Sequence, residues 1–114
     1  MKIDIKSNSP LQSVPKDYCP PGSDRWHMLT RGFDAGKMLF YYDHLIAEEA
    51  PQGTVLFVHG NPECSYTYRH IRDELVRRKV PLRIVAVDHI GFGISDRASF
   101  EMVDMHHSAN LKSL

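Results

Sequence analysis

The stretch that decides the fold is Val55-Leu-Phe-Val-His-Gly-Asn-Pro-Glu-Cys-Ser-Tyr-Thr-Tyr68, in which four apolar residues run directly into a polar, turning tetrapeptide. Thr54–Val58 is apolar and β-branched without alternation, the pattern of a strand covered on both faces, as in the parallel sheet of an α/β protein. His59-Gly60-Asn61-Pro62 then turns the chain, with Gly60 allowing the turn without a Cβ clash. Glu63 to Lys79 reads as helix, because Cys64, Tyr68, Ile71 and Leu75 recur at helical spacing while Arg69, Arg72, Asp73 and Arg77 take the opposite face. Glu63 suits the first turn and Arg77, Arg78 and Lys79 suit the last, with Pro81 blocking continuation. Arg83–Asp88 is a second buried-type strand, so the segment forms a βαβ unit with an expected right-handed crossover.

Working outward, Trp26–Phe33 and Lys37–Asp43 are two aromatic-rich runs separated by Asp34-Ala-Gly36, a hairpin signal. Residues 48–53 form a polar loop. Residues 1–24 hold Pro10, Pro15, Pro20 and Pro21 without apolar periodicity, which predicts an extended arm lying over a surface, or a disordered one. After the second strand, His89–Asp96 is a glycine-bearing loop, and a last helix is expected from about Ser99, with Met102, Met105, Ala109, Leu111 and Leu114 on its apolar side. A sheet stopping there would have a bare edge and half-covered faces. The expected organisation is an arm (1–24) and the N-terminal portion of a larger α/β core (25–114).

Composition narrows the function. The 114 residues carry 42% hydrophobic and 25% charged side chains, which fits one small globular domain. Fourteen basic residues balance fourteen acidic ones, so nothing electrostatic points to nucleic acid. The apolar runs are of strand length, far below the ~20 residues of a membrane-spanning helix. MKIDIK lacks the apolar core of a signal peptide. Cys19 and Cys64 form neither a disulfide framework nor a metal knuckle, and a reduced, cytoplasmic setting is expected.

Ligands of open α/β sheets bind outside the carboxyl ends of the strands. Two loops lie there: His59–Pro62 and Asp88-His89-Ile90-Gly91-Phe92-Gly93. Asn61 brings a backbone N–H and a carboxamide to a point where the following helix also directs N–H groups, a corner suited to a halide, an oxyanion or a phosphate. Gly91-Phe-Gly93 does not continue as a dinucleotide fingerprint, since the third glycine would fall at Asp96 and set a carboxylate beside a pyrophosphate. His106 and His107 are adjacent and cannot share a helical face, so no metal site is expected.

HGNP after a buried strand, S-Y-x-Y-R on the next helix and D-H-I-G-F-G-I-S-D after the next strand together resemble the α/β-hydrolase fold, and within it the haloalkane dehalogenase and epoxide hydrolase branch. The likeness spans roughly residues 26–114 and implies a hydrolase forming a covalent alkyl- or acyl-enzyme, with no cofactor and a small-molecule substrate: haloalkane, ester, epoxide or lactone. It implies that Asn61 donates an oxyanion-hole N–H and helps hold a departing halide. His59, Gly60 and Pro62 would support that turn, while Asp88, Gly91, Gly93, Ser95 and Asp96 would form a mainly structural second loop. Glu63-Cys64 and His89 depart from the dehalogenase pattern. Asp-His-Ile-Gly is more similar to relatives acting on β-lactones, so a β-lactone-processing enzyme and a serine esterase remain alternatives within the fold. Neither G-x-S-x-G nor an Asp-Trp-Gly-Gly elbow occurs, and the family's acid and base come later still. The chain alone is therefore expected to be inactive. The alternative of another class is a non-catalytic α/β binding module.

Overall fold

A computed structural model describes residue 5 and residues 8–48, 50–98 and 110–114. Its four strands are β1 (Asp24–Met28), β2 (Met38–Leu45), β3 (Gly53–Val58) and β4 (Leu82–Val87), with one helix, α1 (Arg69–Arg77), between β3 and β4. They form one mixed sheet in the order β1-β2-β4-β3. β1 and β2 are an antiparallel hairpin with Trp26 opposite Phe40, β2 runs antiparallel to β4, and β3 lies parallel to β4 with Val58 opposite Val87. The βαβ unit is thus joined to the hairpin through β4.

The hairpin connection is longer than expected, because β1 ends at Met28 instead of reaching Phe33. Leu29 N–H donates to the Lys37 carbonyl and Gly36 N–H to that of Leu29, closing a wide loop with Gly32 and Gly36 at positive φ. Pleat alternation on β2 divides the core. Phe40 and Tyr42 face a cluster with Ile84, Ala86, Ile94, Tyr18 and Cys19, whereas Leu39 joins Leu29, Val87 and Ile90.

Three expectations need correction. β3 is not covered on both faces: Phe57 is buried, but Leu56 is 51% and Val58 38% exposed. Among the described residues β3 pairs only with β4, so its outer edge is open. Second, the helix does not begin at Glu63. A turn at Gly60–Glu63 and a 3-10 segment, Ser65–Tyr68, precede α1. Third, the buried side of α1 differs from the one periodicity predicts. Ile71 is 56% exposed, whereas Arg72 is only 2% exposed. The Arg72 guanidinium donates to the carbonyls of Tyr18 (2.9 Å) and Asp17 (2.8 Å) and to the Asp73 carboxylate, so residues 17–19 cover the face that periodicity assigns to solvent.

α1 is ended by its own carbonyls before Pro81 is reached. Lys79 N–H donates to Val76 and Val80 N–H to Leu75, with Lys79 at φ +56, which is a Schellman motif with lysine in the left-handed position. Of the expected final helix, residues 110–112 are helical; Ser99, Met102, Met105, His106, His107 and Ala109 lie outside the described residues.

Candidate active-site corner at the ends of β3 and β4

β3 and β4 end side by side, and the turn after β3 is held by both neighbours. Tyr68, from the 3-10 segment, donates its hydroxyl to the Val58 carbonyl at 2.6 Å and stacks on Phe57 at 4.6 Å. His59 is buried and has both ring nitrogens engaged: Nε2 accepts the His89 N–H at 2.9 Å, and Nδ1 lies 2.8 Å from the Gly60 carbonyl. A backbone donor on Nε2 needs that nitrogen's lone pair, so the bonding pattern assigns the ring proton to Nδ1. The ring is packed by His89 (4.5 Å) and Phe92 (5.4 Å). His59 therefore links the β3 turn to the β4 loop and offers no free nitrogen.

Asp88 makes the second link. Its carboxylate is fully buried and accepts from Ser65 N–H (2.7 Å) on Oδ1, and from the Tyr18 hydroxyl (2.6 Å) and Ile94 N–H (3.1 Å) on Oδ2. Three donors replace the water that a buried carboxylate loses. Burial, followed by the Asp88 charge, pushes the Tyr18 phenol far above its ordinary range, so it stays a donor. Gly93 sits at φ +56 against this carboxylate, and a Cβ there would collide with it. Gly91 also has positive φ. Ser95 accepts from Phe40 N–H (2.7 Å) and donates to the Asp88 carbonyl (2.6 Å), while Asp96 accepts from Met38 N–H (2.8 Å), stitching the loop to β2.

Asn61 stands outside these networks. It is exposed, and among the described residues neither its N–H nor its carboxamide makes a hydrogen bond. It joins Pro62 through a cis peptide, and Glu63 N–H closes the turn onto the Gly60 carbonyl at 2.9 Å. Gly60 needs no glycine on steric grounds: its φ is not positive, and a Cβ would meet nothing nearer than Glu63 Oε2 at 4.0 Å. The structure thus brings His59, Asp88 and Gly93 into one bonded frame, with Asn61 and Pro62 at its rim. Sequence reasoning misses Tyr18, and it places Ser65 and Tyr68 in the S-Y-x-Y-R motif without giving them a role in the site. Tyr18 lies 70 positions from its partner, and no local pattern signals such a pairing. Among the described residues no three His, Cys, Asp or Glu side chains converge as a metal site.

The frame is that of an α/β hydrolase, of which the chain holds part. Within that class the chain is similar to haloalkane dehalogenases. It is 36% identical over 89 residues to haloalkane dehalogenase 2 of Mycobacterium tuberculosis, an alignment covering 78% of this chain and 27% of that protein. To the haloalkane dehalogenase of Mycolicibacterium smegmatis it is 34% identical over 87 residues, covering 76% and 25%. Among solved structures, the haloalkane dehalogenase from Paraglaciecola agarilytica superposes with a TM-score of 0.61 at 26% identity, over 84% of this chain and 30% of that one. A probable hydrolytic enzyme from Pseudomonas aeruginosa reaches 0.66 at 24% identity, covering 85% and 30%, and supports the fold. No family model matches. The chain spans about a quarter of the length of the curated relatives it matches.

Proposed function

We propose that residues 25–114 are the N-terminal portion of a haloalkane dehalogenase-like core, with residues 1–24 as its arm, and that this portion supplies the anion-holding side of the active site at Asn61. The observation that supports the reading is the donor pair of Asn61, exposed at the rim of the strand ends and making no hydrogen bond among the described residues. In the covalent mechanism, a carboxylate attacks the halogen-bearing carbon, the carbon–halogen bond breaks, and the halide leaves toward Asn61. A histidine-activated water then hydrolyses the ester. No motif for the carboxylate nucleophile occurs in this chain, so on this reading the chain alone turns nothing over. The substrate is a small haloalkane, and the two free cysteines fit a reduced, cytoplasmic setting.

Bromide titration of the isotopically labelled chain tests the anion site. A saturable shift is expected at the Asn61 amide, together with no halide release from a haloalkane panel. A featureless titration at Asn61 would sink the reading. Where this segment is joined to its nucleophile, Asn61→Ala is expected to slow halide release by about 10²-fold, the usual loss for one such donor.

A further inference from the structure

The arm reaches the same frame at four points. The Asn8 carbonyl accepts from Arg97 N–H (3.0 Å), and Leu11 N–H donates to the Gly93 carbonyl (3.0 Å). Ser9, fully buried, donates its hydroxyl to the Ile94 carbonyl at 2.6 Å. Tyr18, 1% exposed, donates to Asp88. Its ring is packed by Phe40 at 5.9 Å and stacked on Tyr66 at 5.6 Å, and Arg72 grips the successive carbonyls of Asp17 and Tyr18. A segment that only covered a surface would need apolar contact. This one commits two buried hydroxyls to the loop and to the carboxylate that hold the site.

We propose that Tyr18 is a positioning residue: through Asp88 it sets the Ser65 end of the Asn61 turn and, with Ser9, the Gly93–Ile94 loop. Asp88 is the coupling element, because its two oxygens serve different segments. Oδ2 receives Tyr18 and Ile94, and Oδ1 receives Ser65, four residues beyond Asn61. Without the phenol, Oδ2 keeps one bond at 3.1 Å, and the carboxylate is free to rotate away from Ser65. The bromide arm of the test below rests on the halide reading of Asn61; the exchange arm does not.

The test compares amide hydrogen exchange in the wild-type chain, Tyr18→Phe and Tyr66→Phe. Tyr66→Phe is the control, since it also removes a tyrosine hydroxyl bond from the arm, to the Asp17 carboxylate, without touching Asp88. In Tyr18→Phe, exchange at Ser65 and Ile94 is expected to speed up about ten- to hundredfold relative to the amides of β4, the loss of one bond to a charged acceptor. Tyr66→Phe should leave Ser65 and Ile94 as they are. Should Tyr18→Phe not fold, Arg72→Lys, which loosens the arm and keeps the charge, is expected to give the same local pattern. A uniform acceleration across β4, Ser65 and Ile94 would mean a merely structural tyrosine and overturns the proposal, as would no change. Bromide affinity at Asn61 should also fall about tenfold in Tyr18→Phe. If wild-type Asn61 ignores bromide, the halide reading fails and the exchange pattern still decides the role of Tyr18.

Discussion

At Gly93 a Cβ would penetrate the Asp88 carboxylate and lie 2.7 Å from the Tyr18 hydroxyl, on a backbone already at φ +56. Two penalties therefore add there, strain and collision, and Gly36 separates them: it sits at φ +88, and a methyl group added to it would meet nothing within 4 Å. Gly36→Ala is expected to cost about 1–2 kcal/mol from the left-handed backbone alone. Gly93→Ala should cost about 3 kcal/mol more, or prevent folding, because the obstructing atoms are buried and bonded. Urea midpoints of the two variants check this, and equal losses would contradict it. The glycine spacing after Asp88 is visible in the sequence, but its reason is not. That reason is a carboxylate turned back onto its own loop by donors from residues 18 and 65, which no window around residue 93 contains.

At the scale of elements, both strands of the βαβ unit are legible from apolar runs of strand length, and the hairpin from its paired aromatic segments. The helix is legible as a helix, but its orientation at Arg72 is not. Periodicity sends a charge to water unless something nearer satisfies it, and here two carbonyls of the arm do. Local pattern likewise hides the end of α1, which Pro81 suggests but Lys79 makes. A left-handed lysine costs about 1 kcal/mol relative to glycine. Lys79→Gly is therefore expected to raise stability by up to about 1 kcal/mol in urea unfolding, with α1 unchanged in length by circular dichroism. A loss of stability would show that the Lys79 side chain contributes more than its backbone costs.

For the whole molecule, the tyrosines set an alkaline limit. Burial raises Tyr18 strongly and lifts Tyr42 to about 12. Below about pH 10, the ordinary tyrosine value, both are protonated folded or unfolded, and their contribution to stability is complete. Above it only the unfolded chain releases these protons, so stability falls as pH rises, ending for Tyr42 near its raised value. Urea midpoints should slip slightly above the ordinary thiol value of about pH 8.5, because burial raises the Cys19 thiol too, and drop more steeply beyond about pH 10, with tyrosinate absorbance from Tyr18 and Tyr42 appearing only as the chain unfolds. The anion-holding role proposed for Asn61 draws on the place of its turn at the strand ends and on resemblance, because an exposed asparagine in a turn carries no chemistry by itself. The open ribbon of β3 bears on how the chain behaves in a test tube. A strand whose rim is unpaired among the described residues, with outward Leu56 and Val58, is a template for stacking like upon like, so turbidity should climb steeply with concentration and with added sulfate. Leu56→Lys would set a charge on every copy of that ribbon, and light scattering should then stay flat where the unaltered chain clouds.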